Sequence, residues 1–154
     1  MAKHSPKKIA FVNRKAKYEY HFLETMEAGI KLTGTEIKSI RNGHVNLRDA
    51  YCIFLGEEMW CRSISIGEYK QGNVHNHEER RPRKLLLKRQ ELNKWQKKVK
   101  EKGYTIVPYR LYLNERGLCK LEIALVQGKK VHDKRDSIKT KDNKRALDRA
   151  LKDL

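Results

Sequence analysis

Apolar and polar residues alternate along the first third of the chain. Tyr18, Tyr20 and Phe22 alternate with Glu19 and His21, the pattern breaks at Glu24-Thr25, and it resumes through Met26, Ala28, Ile30 and Leu32. A period of two marks a half-buried strand, so residues 17–32 read as one bent strand or a strand pair, with a bulge or tight bend at the break. Gly34 ends this stretch. Thr35 heads a short helix over residues 36–41, with Ile37 and Ile40 on one side and Lys38 and Arg41 together on another. Asn42-Gly43 closes it with residues that tolerate a left-handed backbone.

Residues 50–55 and 59–66 are β-rich runs around Gly56-Glu57-Glu58, and residues 104–113 and 118–126 form a second such pair around Asn114-Glu115-Arg116-Gly117. Both read as hairpins, which makes the sheet mostly antiparallel. Between them, residues 71–83 are polar, and Leu85-Leu86-Leu87 leads into a helix over 89–102 that Gly103 stops. Leu92, Trp95 and Val99, with Gln96 beside them, mark its buried stripe. Short antiparallel strands with two or three helices tucked against them predict a mainly β fold, a small closed barrel of the oligonucleotide-binding type. The barrel is expected to occupy residues 1–127.

From residue 128 to 154 the composition changes to ten Lys or Arg, five Asp and no Phe, Trp or Tyr. Leu147, Ala150, Leu151 and Leu154 recur at helical spacing, but an isolated helix of that length is marginal in water. This segment reads as a basic tail, disordered alone and able to fold on a partner.

Charge narrows the function. With 36 Lys and Arg against 19 Asp and Glu, the formal charge is +17, and the charged fraction of 36% exceeds the roughly 25% of an average globular protein. So large a charge repels itself and calls for a polyanion, nucleic acid or anionic membrane. No stretch approaches the ~20 apolar residues of a spanning helix. Residues 1–8 are basic and polar, without a signal-peptide core behind them, so a cytoplasmic location and no membrane partner are expected. Cys52, Cys61 and Cys119 are widely spaced and lie in apolar runs, as small core residues do; a zinc site would want close pairs, and Cys52 with His75 and His77 is a poor substitute. No Gly-rich phosphate loop, Ser-His-Asp arrangement or H-E-x-x-H appears, so no catalytic residue, metal or cofactor is expected.

Three clusters have the chemistry of an RNA binder, which needs cations for phosphates and planar groups for bases. Asn13-Arg14-Lys15-Ala16-Lys17 runs into Tyr18 and Tyr20, whose rings read equally as a base platform or as core. Arg80-Arg81-Pro82-Arg83-Lys84 stiffens cations around a proline, a presentation suited to tracking a phosphate backbone. Gly128-Lys129-Lys130-Val131-His132-Asp133-Lys134-Arg135 opens the tail, with Gly128 as hinge and His132 as a ring able to stack. Glu27 and Glu36 stand in basic surroundings, able to accept from a base edge or to pair with a cation.

These clusters lie within five blocks: NRKA at Asn13, EAGIKLTGTEIKSIRNG from Glu27, NLRDAY from Asn46, RRPRKLLL from Arg80 and GKKVHDKR from Gly128. In that order they resemble the small protein B family of bacteria, which binds transfer-messenger RNA (tmRNA, or SsrA RNA) in trans-translation, the rescue of stalled ribosomes. The resemblance implies an oligonucleotide-binding barrel that grips the tRNA-like domain of tmRNA, chiefly its D-loop region. Asn13, Glu27, Lys38, Arg83, Lys84 and Leu86, with Lys120, are the positions that match the family there, and the basic residues Arg14, Lys15, Arg41 and Arg81 join them as candidates for that contact. It implies further that Gly128, Lys129, Lys130, His132, Asp133, Lys134 and Arg135 act in the empty mRNA channel and decoding centre of the 70S ribosome. Elongation factor Tu and alanyl-tRNA synthetase would then be indirect partners through tmRNA. Two other classes compete: a structural ribosomal protein, and an RNA-processing enzyme using His21, His75 or His77 as acid or base.

Overall fold

The computed structural model describes residues 9–128 together with 144–146 and 149, these last four helical and exposed. Apart from Gly128 and those four, the predicted tail lies outside the described residues.

The strands are β1 (Ala10–Val12), β2 (Tyr20–Ile30), β3 (Val45–Asn46), β4 (Tyr51–Leu55), β5 (Glu58–Arg62), β6 (Ser65–Ile66), β7 (Arg83–Leu86), β8 (Thr105–Leu113) and β9 (Cys119–Gly128). The helices are α1 (Arg14–Glu19), α2 (Gly34–Arg41) and α3 (Arg89–Lys102), with a 3-10 turn at Lys70–His75. Neighbouring strands run β8, β4, β5, β7, β2, β9, and β9 pairs back onto β8, so the ring closes as an antiparallel barrel with β1 added to the outer edge of β8. The mainly β, antiparallel expectation holds. Closure satisfies the backbone groups that an open sheet would leave at its edges.

The long β2 strand serves two apolar surfaces. Phe22 pairs with Val126 but Glu24 pairs with Leu125, so Leu23 is an extra residue, a bulge one position before the predicted Glu24-Thr25. Because a one-residue insertion reverses which face each side chain takes, even-numbered residues point outward before the bulge and inward after it. Tyr20 and Phe22 pack outside the wall, against a small cluster of Ala16, Val107, Ala124 and Val126. Met26, Ala28 and Ile30 line the interior with Leu121, Ile123, Leu111, Ile106, Met59 and Cys61. Trp95 and Leu92 of α3 and Ile40 of α2 also enter the main core. Lys94 and Lys98 tie α3 to Glu24 near the start of β2, each at 2.8 Å, whereas α2 follows the end of β2.

Several predicted elements shift. Residues 17–19 are helical rather than strand, because the Asn13 side chain accepts from the Ala16 N–H and starts a helical turn there. The α2 cap is Thr33, two residues earlier than expected, in a full capping box with Glu36. The predicted strand 59–66 breaks at Ser63, which has φ of 66°, and its end pairs with β3 in a separate two-stranded sheet. Residues 83–86 are a barrel strand and not a lead into α3, with Arg83 and Leu85 buried and Lys84 and Leu86 turned outward.

Arg83 faces inward because Glu36 waits there. Both side chains are 0% exposed, and Arg83 Nε donates to Glu36 Oε2. Arg83 Nη1 and Nη2 donate to the carbonyls of Ile64 (2.8 Å) and Glu79 (3.1 Å), while Glu36 Oε1 accepts from the Thr33 N–H and from Arg81. Burial pulls the Glu36 carboxyl up, but the Thr33 N–H, Arg81 and Arg83 together outweigh it and hold the group below its usual range. Removing one partner of such a pair strands a buried charge, so Glu36→Gln should cost about 3 kcal/mol in urea unfolding at neutral pH.

Glu24, held down to about 2 chiefly by its hydrogen bonds from Lys94 and Lys98, gives a second prediction. A carboxyl lowered on folding stabilises above its unfolded pKa and loses that contribution as pH falls through the folded value. The stability gap between the native protein and Glu24→Gln should therefore be present at pH 7 and shrink progressively below about pH 4, toward about pH 2, in urea titrations.

Candidate nucleic-acid interface

Closing the barrel brings distant candidates onto one outer wall. Gly29 of β2 lies between Leu86 of β7 and Lys120 of β9, and Lys120 in turn faces Tyr112 of β8. One step along the strands, Glu27 lies beside Glu122, and Glu122 beside Arg110. Leu86 is 54% exposed, large for an apolar side chain on a basic protein. A Cβ on Gly29 would come within 3.2 Å of Leu86 Cβ, so glycine leaves room for Leu86 to lie across the wall. Glu27, Leu86 and Lys120 therefore share a surface that joins a carboxylate, an apolar platform and a cation.

Cations from α2 flank this wall. Lys38 Nζ sits 5.3 Å from the centroid of the Tyr69 ring, a cation–π contact. Tyr69 is held there because the Asn76 side chain accepts from its N–H (3.1 Å) and donates to its carbonyl (2.6 Å). Arg41 reaches the β8–β9 turn: a Cβ on Gly117 would lie 3.7 Å from its Nη2. That turn is built by Asn114, whose side-chain oxygen accepts from the N–H groups of Arg116 and Leu118, with Gly117 at φ of 77°. Arg14 is exposed on α1 and has no ion pair among the described residues, whereas Lys15 is shared with Glu19 (3.5 Å) and Asp49 (3.8 Å). Arg14, Lys15 and Arg48 line a cleft beside β1.

Other candidates are placed differently. Arg83 is not a surface cation, since its guanidinium is enclosed and spent on Glu36, Ile64 and Glu79. Arg81 is drawn to the same carboxylate. Glu36 is thus a structural partner for cations. In the second cluster Lys84 does face outward, in an ion pair with Glu58 at 3.1 Å. Asn13 is buried: its side-chain amide donates to the carbonyls of Leu47 (3.2 Å) and Pro108 (3.1 Å). Gly128 is the last residue of β9, paired with Tyr20, so the sheet ends one residue later than the expected boundary. Lys129, Lys130, His132, Asp133, Lys134 and Arg135 lie outside the described residues.

Cys52 and Cys61 face each other across β4 and β5 in the core, and burial pushes the Cys52 thiol up. Burial also raises Cys119, to about 12. Both ring nitrogens of His77 are engaged, by Thr35 (2.8 Å) and the Ile66 carbonyl (2.9 Å), which leaves no lone pair for a metal or a substrate proton. Tyr69, Arg110 and Tyr112 escaped the sequence reading. The alternation of Arg110 and Tyr112 with Leu111 and Leu113 was a usable signal, masked by the register shift between Pro108 and Arg110.

Comparison with known proteins decides the family. The family model described as SmpB protein matches residues 10–153. The chain belongs to the SmpB family. It is 50% identical over 147 residues to the SsrA-binding protein of Phocaeicola vulgatus, an alignment covering 96% of this chain and 98% of that one. The SsrA-binding protein of Trichodesmium erythraeum is 51% identical over 146 residues, 94% of this chain and 93% of the other. Among solved structures, a chain of the structure described as "tmRNA-SmpB: a journey to the center of the bacterial ribosome" superposes with a TM-score of 0.69 at 40% identity, covering 84% of this chain and 94% of that chain. Among the described residues of this SmpB family member, no helix is long and apolar enough to cross a membrane.

Lys38 and Arg41 are the candidate cations whose effect is easiest to isolate, because neither has an acidic partner among the described residues. If both meet phosphates, Lys38→Gln with Arg41→Gln should flatten the slope of log affinity against log salt for a structured RNA by about 1.4 to 1.8. Titrations at several salt concentrations measure it directly.

Proposed function

We propose that this chain binds tmRNA and serves trans-translation as a binding module with no chemistry of its own. The observation that carries the reading is the identity of about one half to SsrA-binding proteins over nearly the whole chain. The outer wall supports it. Glu27, Leu86 and Lys120, flanked by Lys38 and Arg41, offer an acceptor, a stacking surface and phosphate contacts to the tRNA-like domain, in its D-loop region. Arg14, Lys15 and Lys84 extend the basic surface. Arg81, Arg83 and Asn13 act from beneath, by holding α2 and α1 in place.

The tail takes the second role. Residues 129–154 carry cations with no apolar face broad enough for a core, which suits a segment that orders on a ribosome. Lys129, Lys130, Lys134 and Arg135 meet ribosomal RNA in the empty mRNA channel, and His132 stacks near the decoding centre. The protein thereby delivers tmRNA to a stalled 70S ribosome in the cytoplasm, so that the nascent peptide is tagged. Elongation factor Tu and alanyl-tRNA synthetase meet it through tmRNA.

The barrel closes without the tail, so a protein ending at Gly128 should bind the tRNA-like domain within about threefold of the full chain yet support no tagging of stalled products. Filter binding and a tagging assay on the same preparations check both halves. Equal loss of binding and tagging would overturn the division.

A further inference from the structure

The outer wall carries a carboxylate that charge balance does not explain. Glu24, Glu58 and Glu122 are each held by a lysine or arginine, but Glu27 has no cation partner among the described residues. Its cross-strand neighbour Glu122 is a second carboxylate, with Arg110 Nε 3.1 Å away. What holds Glu27 is a neutral donor, the Tyr112 hydroxyl, which reaches over from β8 to Glu27 Oε2. The Tyr112 ring is itself gripped, with the Arg110 guanidinium 4.8 Å from its centroid. Burial and the bond to Glu27 push the Tyr112 hydroxyl up to about 12, so it remains a donor at neutral pH.

A bare carboxylate repels phosphate but accepts N–H groups well. Of the four RNA bases, only guanine presents two adjacent N–H donors on its Watson–Crick edge, N1–H and the N2 amino group, at the spacing of a carboxylate's two oxygens. Adenine and cytosine set one amino group beside an acceptor, and uracil sets one N–H between carbonyls. A carboxylate has about four lone-pair sites, so with one taken by Tyr112 both oxygens still accept. Unpaired RNA bases are read at this edge. Leu86 and Lys120 lie on the same face, flanking Gly29 two residues along β2 from Glu27, where a splayed base can stack and its phosphate be met.

We propose that Tyr112 is a positioning residue that locks the Glu27 carboxylate in the orientation that accepts both N–H groups of an unpaired guanine of the bound RNA. The inference rests on the tmRNA reading and adds to it a base and a residue. Its strength is geometric: a glutamate side chain free on a strand surface samples several rotamers, and Tyr112 selects among them.

The test titrates the tRNA-like domain of tmRNA onto the full-length protein, Glu27→Gln, Tyr112→Phe and the double variant, with thermal unfolding of each. Glu27→Gln should weaken binding about tenfold. Tyr112→Phe should weaken it about fivefold, and the double variant should bind no more weakly than Glu27→Gln alone. Inosine placed at each unpaired guanine in turn deletes the N2 amino group. One position should cost the native protein severalfold, cost Glu27→Gln nothing and cost Tyr112→Phe clearly less than it costs the native protein, a difference that a merely structural Tyr112 would not produce. Additive losses, no loss in Tyr112→Phe, or the absence of any inosine position that depends on Glu27 overturns the inference. Should Tyr112→Phe fail to fold, Tyr112→Leu takes its place in the inosine series. A native protein that does not bind the domain overturns the tmRNA reading instead.

Discussion

The ion pair between Glu36 and Arg83 sets the geometry on which the candidate interface depends. Arg83 belongs to β7 and Glu36 to α2, and the same guanidinium also holds the carbonyls of Ile64 and Glu79. One side chain thus fastens the helix, the barrel wall and both ends of the segment between β5 and β7. That segment carries Tyr69, over which Lys38 lies. Buried pairs add little net stability compared with well-packed apolar groups, because desolvation offsets the attraction. Their effect is to make alternatives costly, since any other seat for α2 leaves a charge buried alone. Lys38 and Arg41 are therefore presented from a helix that has one place to sit.

A second constraint is the bulge at Leu23. Without it, every apolar residue of even number in β2 would face the same side, and the wall would have a core inside but no seat outside for α1. The reversal lets Tyr20 and Phe22 cover Val107, Ala124 and Val126 from outside while Met26, Ala28 and Ile30 fill the interior. The buried Asn13 then anchors α1 through the carbonyls of Leu47 and Pro108, and this fixes where Arg14 and Lys15 emerge. Residues that look like ligands in the sequence act one layer beneath the surface, by placing the cations that follow them.

That distinction explains what the sequence could and could not reveal. Periodicity located β2, both hairpins, α2 and α3, because each of them, and each half of β2 on either side of its bulge, has a strongly patterned face. It missed β7, whose four residues read as a charged loop running into leucines, since an arginine that points into a core breaks any pattern built on hydrophobicity. It also placed Tyr18 on a strand, where a local cap at Asn13 overrides the alternation. Cluster chemistry correctly picked out a basic protein, but cannot separate Lys84, which faces outward, from Arg83 beside it, which does not; that requires knowing that Glu36, far away in sequence, comes to meet it. Glu27, Leu86 and Lys120 could be named through a family resemblance, but only strand register puts them on one surface.

Charge and register divide the work of recognition. The net charge of +17 supplies attraction that is long in range, sensitive to salt and indifferent to sequence. Such attraction is available to any RNA, ribosomal RNA included, so it cannot select one RNA among many. Selection requires groups that penalise the wrong partner, and a carboxylate set among cations does so. It repels a phosphate backbone laid across it and rewards only an edge with N–H groups in the right place. Among the described residues Glu27 has no cation, and a neutral donor orients it; under the proposed reading, a lysine in the place of Tyr112 would neutralise the feature that discriminates. On the proposed reading, the cations on α2 would govern how tightly RNA is held, and the β2, β8 and β9 strands which RNA is accepted.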